Sequence, residues 1–163
     1  MIKIETIMSK DVSTAELNAP ISIIINKLYN DKLGAIVITN NKNVPIGIIT
    51  ERDIVGGLYK FKEQLLKKKA REVMSSPIVY ISPDSDIEEA AILMALNRIR
   101  RLPVINDNKL VGIISYKDLA NTLRKNYYSL EEKTEILEDK ANKDALTSLY
   151  NKGYIFDQLK YQI

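Results

Sequence analysis

The stretch Gly47-Ile48-Ile49-Thr50-Glu51-Arg52-Asp53 recurs later in the chain as Gly112-Ile113-Ile114-Ser115-Tyr116-Lys117-Asp118. Each copy runs from a glycine through two β-branched apolar residues to a hydroxyl, a basic residue and a carboxylate, and an apolar run follows. This order predicts a strand that ends at the hydroxyl and turns into a helix, because the hydroxyl can cap the helix and the acid suits its positive end. The free backbone N–H groups at such a corner favour anions such as phosphate.

The self-similarity extends well beyond these two stretches, so the chain is predicted to contain a duplicated unit. The further matched pairs are Met8-Ser9 with Met74-Ser75, Ile21 with Ile87, and Val37-Ile38 with Pro103-Val104.

The order Met-Ser, strand, Ser-Pro-Asp, helix, Arg-Leu-Pro-Val and Gly-Ile-Ile-Ser-x-x-Asp resembles a tandem pair of CBS domains over about residues 1–124. The resemblance implies an α/β (α+β) fold in which two repeats pack about a pseudo-two-fold axis with two clefts between them. The expected organisation is repeat 1 at 1–60, a helical connector at 61–70, repeat 2 at 71–124, a helical linker at 125–143 and the start of another domain at 144–163.

Composition narrows the chemistry that the chain can perform. The 163 residues include 45% hydrophobic residues, no cysteine and no histidine, with a net charge of +3. Thiolate chemistry, disulfides and the commonest acid–base group and metal ligand are therefore absent. With no signal peptide and no apolar run long enough to span a membrane, we expect a cytoplasmic protein that is not an enzyme and has no metal site, nucleic-acid partner or membrane partner.

The pattern of apolar residues and turn residues predicts alternating strands and helices in both repeats. In repeat 1 we expect a strand at 12–14, a helix at 20–31, strands at 35–39 and 46–50, and a helix after Asp53 that is broken at Gly56-Gly57. In repeat 2 we expect a strand at 78–81, a helix at 85–97, strands at 102–105 and 110–115, and a helix from Asp118 onward.

The connector between the repeats, within 58–72, is predicted to be helical and carries a run of basic residues. One interpretation is a patch for nucleic acid or acidic lipid. The other, which we favour because no aromatic residues support base stacking, is a solvated helix face with Leu65 and Leu66 turned inward. The basic residues are Lys60, Lys62, Lys67, Lys68, Lys69 and Arg71, with Glu63 as the acid among them.

A long helix is predicted from Leu119 to about Asp144, because glycine and proline vanish there and charges become dense. Its apolar residues recur at spacings of four and three, which favours pairing with a second copy in a homodimer, although a single helix lying on its own domain remains open. The members of this seam are Leu123, Tyr127, Leu130, Thr134, Leu137 and Ala141.

The last twenty residues carry a second resemblance. Asp144-Ala145-Leu146-Thr147-Ser148-Leu149-Tyr150-Asn151-Lys152 resembles the opening of a GGDEF (diguanylate cyclase) domain, with Ser148 and Lys152 departing from the usual Gly and Arg. The resemblance implies a truncated output domain that would make cyclic-di-GMP. The residues on which that family's catalysis depends are not within this chain, so no catalytic residue is assigned.

The two repeated acids, Asp53 and Asp118, have two possible roles. The simpler one is stabilisation of a helix amino terminus. The CBS resemblance implies that they also hold ribose hydroxyls, with Thr50 and Ser115 near ribose and phosphate, because a carboxylate can accept from both hydroxyls at once. Arg100 and Arg101 are either solvated charges at a helix end or, as the resemblance implies, phosphate ligands.

The pseudo-two-fold packing implied by the resemblance makes each cleft composite. One cleft would join Thr50 and Asp53 to Ile78, Val79, Arg100, Arg101 and Lys117. The other would join Ser115 and Asp118 to Ser13, Thr14, Gly34 and Ala35, with Arg52 as its cation.

Two functions are compatible with these features. The first is a regulatory module that binds an adenine nucleotide (AMP, ADP or ATP) and controls a cyclic-di-GMP-forming output through the long helix. A guanine nucleotide or S-adenosylmethionine is also compatible with the sequence. The second is a structural dimerisation module with empty clefts. The two Thr/Ser-x-x-Asp motifs favour the first.

Overall fold

The computed structural model describes residues 2–143, so the GGDEF-like stretch at 144–163 lies outside the described residues. A compact unit that ends at Leu119 holds both repeats. Repeat 1 contains β1 (Thr14–Glu16), α1 (Ile21–Asn30), β2 (Ala35–Thr39), β3 (Pro45–Thr50) and α2 (Glu51–Phe61). The remaining helices and strands are α3 (Ala70–Val73), α4 (Ile87–Asn97), β4 (Arg101–Asn106), β5 (Lys109–Ser115) and α5 (Tyr116–Asn142), with 3-10 turns at Ile4–Thr6 and Lys62–Lys67.

The two sheets differ by one strand. In repeat 1, β1 pairs in parallel with β2, and β2 pairs antiparallel with β3. In repeat 2, β4 and β5 form an antiparallel pair. Both antiparallel pairs shift register at the same place in the repeat, between Ile38 and Thr39 and between Val104 and Ile105. The duplicated α+β architecture expected from the sequence is therefore confirmed.

The strand expected at 78–81 is wrong. Only Ile81 forms a bridge there, in parallel with Val104, through hydrogen bonds of 3.0 Å to the Pro103 carbonyl and from the Ile105 N–H. The segment is bounded by Pro77 and Pro83. Proline has no N–H to donate to a strand ladder, so the pairing cannot extend to these residues. Its counterpart in repeat 1 is short as well, at Thr14–Glu16 instead of 12–14.

The repeats exchange short segments. The Ile4 N–H donates to the Ser85 carbonyl at 2.9 Å, and Ser9 makes two 2.9 Å backbone hydrogen bonds with Ile113. In the reverse direction, the Ile21 N–H donates to Lys68 at 2.9 Å, and Ser75 pairs with Ile48. Residues 2–9 therefore pack on repeat 2, and residues 65–75 pack on repeat 1. Each repeat therefore receives a segment from outside it, as a pseudo-two-fold arrangement of two repeats requires.

Each repeat has its own hydrophobic core, and each core includes a residue from the exchanged segment. Burial of each large aliphatic side chain contributes roughly 1.5–3 kcal/mol. The core of repeat 1 contains Ile21, Ile24, Leu28, Ile36, Ile38 and Ile49, completed by Leu65 and Ala70. The core of repeat 2 contains Ile81, Ile87, Ala90, Met94, Leu102, Val104, Ile114 and Leu119, completed by Ile4.

Helix α2 is continuous through Gly56-Gly57, so the expected break is wrong. Gly57 is buried, and a Cβ there would lie 2.8 Å from Leu65 Cδ1, whereas a Cβ on Gly56 would meet nothing within 4 Å. The missing side chain of Gly57 therefore lets Leu65 pack closely against α2, and the backbone hydrogen bonds of the helix continue through it.

The connector is not one helix, which corrects the prediction for 58–72. Helix α2 ends at Phe61, a 3-10 turn follows, Lys68 and Lys69 are extended, and α3 is a separate short helix. The backbone reverses at Lys62, whose φ is 50°. Leu65 is buried as predicted, but Leu66 is 57% exposed, because successive side chains of this 3-10 turn point about 120° apart and only Leu65 faces the core.

Helix α5 begins at Tyr116, two residues before the expected start, and continues through Asn142. Its apolar seam residues Leu123, Tyr127, Leu130 and Leu137 are all more than half exposed in the single chain. No helix within residues 2–143, including the long α5, is apolar enough to cross a lipid bilayer.

Candidate functional site

A cleft lies at the corner between β3 and α2, which we call the Thr50 cleft. Its volume is about 370 Å³, within the range of roughly 300–1,000 Å³ typical of small-molecule sites. Residues of both repeats line it: Ile48, Thr50, Glu51, Arg52 and Asp53 from the first, and Ser75, Pro77, Val79, Asn97, Arg98, Ile99, Arg100 and Arg101 from the second.

Thr50 and Asp53 form a reciprocal cap at the start of α2. The Thr50 N–H and hydroxyl donate to Asp53 Oδ2 at 2.7 and 2.5 Å, and the Asp53 N–H donates to Thr50 Oγ1 at 3.4 Å. The Ser75 hydroxyl donates to the other carboxylate oxygen, Oδ1, at 2.7 Å. Asp53 thus both starts the helix and fixes the exchanged Ser75 segment beside the cleft.

Repeat 2 carries the same cap at the start of α5. The Ser115 N–H and hydroxyl donate to Asp118 Oδ2 at 2.8 and 2.6 Å, and the Asp118 N–H donates to Ser115 Oγ at 3.3 Å. The capping role considered for both acids is therefore observed directly. Any role toward a ligand would be additional to it.

Arginine side chains dominate the charge of the Thr50 cleft. Arg98, Arg100 and Arg101 come from the segment after α4, and Arg52 comes from the first turn of α2. Arg98 has a left-handed backbone, with φ 54°, and ends α4, as Lys32 with φ 51° follows α1 in repeat 1. The Arg98 carbonyl accepts from Arg52 Nη1 at 3.3 Å, which joins the two walls of the cleft.

Arg52 was expected on the second cleft, but it lines the Thr50 cleft. The expectation rested on pairing the cations of one repeat with the acid of the other. Arg52 instead lies on the first turn of the same helix as Asp53 and reaches across to Arg98.

Arg101 extends over Gly34. A Cβ built on Gly34 would lie 1.6 Å from Arg101 Nη2 and 2.1 Å from Cζ, so the guanidinium occupies the space that a side chain would need. Residue 34 is the counterpart of Arg100 in the repeat. The absence of a side chain in repeat 1 therefore makes room for an arginine of repeat 2.

The structure brings together most, but not all, of the residues expected on the first cleft. Thr50, Asp53, Val79, Arg100 and Arg101 line it, whereas Ile78 and Lys117 do not. Sequence reasoning missed several lining residues. The repeated Met-Ser pair could have indicated Ser75. The left-handed backbone of Arg98 could not be predicted, because no glycine or asparagine marks that position.

Most residues expected on the second cleft lie outside the two pockets described here. A second, more open pocket of about 620 Å³ lies between the β2–β3 and β4–β5 turns and includes Thr14. The other expected members line neither of these two pockets: Ser13, Gly34, Ala35, Ser115 and Asp118. Lysines at this second pocket, which the sequence did not indicate, are Lys10, Lys42 and Lys109.

Duplicated α+β repeats that exchange segments and share a ligand-sized cleft define a tandem-repeat binding module. Comparison with known proteins identifies the module: the CBS domain model matches residues 4–60 and 70–125. The chain belongs to the CBS domain family and contains a tandem CBS pair.

The sequence matches lie within the CBS pair of this chain, and they span less than two thirds of the length of the first two relatives. An uncharacterised protein of Methanopyrus kandleri is 35% identical over 119 residues, which are 72% of this chain and 61% of that protein. Inosine-5'-monophosphate dehydrogenase of Methanocaldococcus jannaschii is 32% identical, over 72% of this chain but 23% of the enzyme. The CBS domain-containing protein YhcV of Bacillus subtilis is 32% identical over 74% of this chain and 84% of YhcV.

Solved structures with similar folds include one with bound ligands. The CBS domain pair of protein MJ0100, in complex with 5'-methylthioadenosine and S-adenosyl-L-methionine, is 26% identical with a TM-score of 0.68, covering 75% of this chain and 99% of that one. A hexameric CBS-CP12 protein from bloom-forming cyanobacteria is 30% identical with a TM-score of 0.67, over 74% of this chain and 70% of that one.

Proposed function

We propose that this chain is a regulatory module that binds an adenine nucleotide, AMP, ADP or ATP, in the Thr50 cleft. The observation that carries the proposal is a ligand-sized cleft in which the Asp53 carboxylate lies with the arginines of both repeats. The MJ0100 pair binds adenosine compounds, which supports an adenosine-containing ligand for this chain as well.

Asp53 has the capacity to accept a ribose hydroxyl in addition to its present bonds. Its Oδ2 already accepts two hydrogen bonds from Thr50, while Oδ1 accepts one from Ser75. A carboxylate offers about four lone-pair positions, so Oδ1 keeps an acceptor position for a ligand. The apolar side chains of Ile48, Val79 and Ile99 supply surface for a base, and the arginines supply the phosphate contacts.

The proposed output runs through α5. The Ser115–Asp118 cap begins this helix, which therefore starts inside the CBS pair and continues for 27 residues. We propose that the helix transmits the ligand signal to an output of the diguanylate cyclase type, of which 144–163 would be the opening. The support for this part is the sequence resemblance in 144–152, which lies beyond the described residues.

Thermal unfolding and titration calorimetry test the ligand proposal. A ligand that binds only the folded state raises the melting temperature, by an amount that follows its concentration relative to its dissociation constant. We expect AMP, ADP or ATP to raise it. We also expect Asp53→Asn to weaken binding, with Asp118→Asn, which alters the matching cap, as the control. If none of these nucleotides shifts the melting temperature, the proposal fails.

A structural dimerisation module without a ligand is the second candidate. The observation that favours it is the exposed seam of Leu123, Tyr127, Leu130 and Leu137 on α5, since apolar stripes at this spacing pair with a second helix. Light scattering should report about twice the chain mass of 18.5 kDa. We expect Leu130→Lys to reduce the mass to that of a monomer, and Glu132→Lys, which lies off the seam, to leave it unchanged.

A further inference from the structure

The charges that line the Thr50 cleft are unbalanced. Four arginines face two carboxylates, Glu51 and Asp53, which leaves a formal surplus of two positive charges. Within residues 2–143, no carboxylate oxygen lies within 4.0 Å of a charged nitrogen of these arginines. Asp53 is already engaged by Thr50 and Ser75. The surplus is therefore available to a ligand.

The arginines reach the cleft from both repeats, and two of them have defined neighbours. Arg52 extends from α2 of repeat 1 and donates to the Arg98 carbonyl of repeat 2 at 3.3 Å, so one guanidinium is fixed across the cleft. Arg101 of β4 lies against the bare Cα of Gly34. Because a guanidinium presents a planar fork of donors that matches phosphate oxygens, cations on two walls can contact phosphates at different positions along a chain.

We infer that the Thr50 cleft selects a nucleotide with two or three phosphates over a monophosphate, and disfavours a ligand with a sulfonium cation such as S-adenosylmethionine. This inference rests on the proposed function and names the ligand class within it. A single phosphate can satisfy one or two guanidinium groups, whereas a chain of phosphates reaches both walls. A sulfonium adds positive charge where the cleft already has an excess.

Titration calorimetry with three ligand series, without divalent cations, tests the inference. The series are adenosine, AMP, ADP and ATP; phosphate, pyrophosphate and tripolyphosphate; and S-adenosylmethionine alone. We expect each added phosphate to strengthen binding by roughly 10-fold in the first two series, equivalent to about 1.4 kcal/mol. We expect S-adenosylmethionine to bind more weakly than AMP.

Variants identify the side chains responsible. Arg52→Gln should reduce the ratio of ATP to AMP affinity by roughly 10-fold, since it removes the cation of the repeat 1 wall. Arg71→Gln removes an exposed arginine outside the cleft lining and should leave the ratio unchanged. A melting temperature for each variant shows that it is folded.

The outcomes separate this inference from the proposed function. If adenosine and AMP bind but ATP is no tighter than AMP, or if S-adenosylmethionine binds more tightly than ATP, the inference is overturned while adenosine binding stands. If tripolyphosphate binds as tightly as ATP and adenosine does not bind, phosphate selection stands and the adenine-nucleotide proposal fails. If no ligand of any series binds, both are overturned.

Discussion

The backbone carbonyl of Arg100 accepts a hydrogen bond from the backbone N–H of Tyr116 at 2.9 Å. Arg100 lines the Thr50 cleft, and Tyr116 is the first residue of α5. The next residue, Arg101, is paired with Ser115 across the β4–β5 ladder. A ligand that fixes the two arginines therefore acts on the backbone that holds the start of α5.

This connection predicts that nucleotide binding protects the first turn of α5. A ligand that holds Arg100 lowers the population of states in which the Arg100–Tyr116 hydrogen bond is open. Hydrogen exchange of amides in 115–119 should slow when saturating ATP is added, and exchange at the β2–β3 turn, 40–44, should not. Unchanged exchange in 115–119 at full occupancy would remove this route from the cleft to the helix.

Gly34→Ala is expected to weaken phosphate binding without changing any charge. The new Cβ would lie 1.6 Å from Arg101 Nη2, so the guanidinium must move. Because the obstructed group is the end of a flexible side chain, stability should change little, whereas ATP affinity should fall by roughly 10-fold. Gly56→Ala is the matched control: its Cβ meets nothing within 4 Å, and it should leave ATP affinity unchanged. Equal affinities for the two variants would contradict the role of Gly34.

The glycines of the repeated stretch are expected to be sensitive to a methyl group for a different reason. A Cβ on Gly112 would lie 2.5 Å from Met8 Sδ and 2.9 Å from the Ser9 carbonyl oxygen; on Gly47 the matching distances are 2.6 Å to Met74 Sδ and 3.1 Å to the Ser75 oxygen. Gly112→Ala should lower the free energy of unfolding by about 1–3 kcal/mol, and Gly47→Ala by less, because the backbone oxygen there is farther away.

Urea denaturation measures both losses. Gly56→Ala is the control. It places a better helix former at an exposed helix position, so the free energy of unfolding should rise by up to about 1 kcal/mol. A Gly112→Ala protein as stable as the parent would show that the Met8-Ser9 segment can move away at no cost.

The lowered pKa of Glu72 predicts that the protein loses a small part of its stability in acid. The hydrogen bond from the Lys69 N–H, and then that from Lys68 Nζ, lower the pKa of Glu72 from its ordinary value of 4.5. A folded-state pKa below the unfolded one means that the carboxylate stabilises the fold above about pH 4.5, and that this contribution is lost as the pH falls through the folded pKa. Glu72→Gln should therefore unfold with a shallower pH dependence in this acid range.

The exposed Glu63 provides the comparison for that measurement. Glu63→Gln is the matched charge control, because it removes a carboxylate but leaves the acceptor of the Lys69 N–H and of the Lys68 ammonium in place. If the two variants have the same slope of unfolding free energy against pH, the cap at α3 does not contribute.

The strand-to-helix corners were predictable because their signals are local. A hydroxyl at the end of a strand, three residues before an acid in the first turn of a helix, predicts a capped helix start, and reciprocal caps form at Thr50–Asp53 and Ser115–Asp118. The run of β-branched residues before the turn at Asn40 likewise predicted β2 at Ala35–Thr39, and the spacing of three and four predicted the buried residues Ile21, Ile24 and Leu28 of α1.

The features that sequence reasoning missed depend on contacts between distant residues. The placement of Arg52 is set by a carbonyl 46 positions away, at the left-handed Arg98. Gly57 is explained by Leu65, which packs where a side chain would otherwise lie, and Leu66 is exposed because the 3-10 turn directs only Leu65 to the core. None of these relationships has a signature within a window of a few residues.

The exchange of segments between the repeats has a consequence for synthesis on the ribosome. Repeat 1 lacks two core residues, Leu65 and Ala70, until the chain has grown past its own last helix. Repeat 2 needs Ile4, which is translated well before the strands that bury it. Residues 2–9 therefore find their first partners only when the segment around Ser85 has emerged, and their last when Ile113 has emerged.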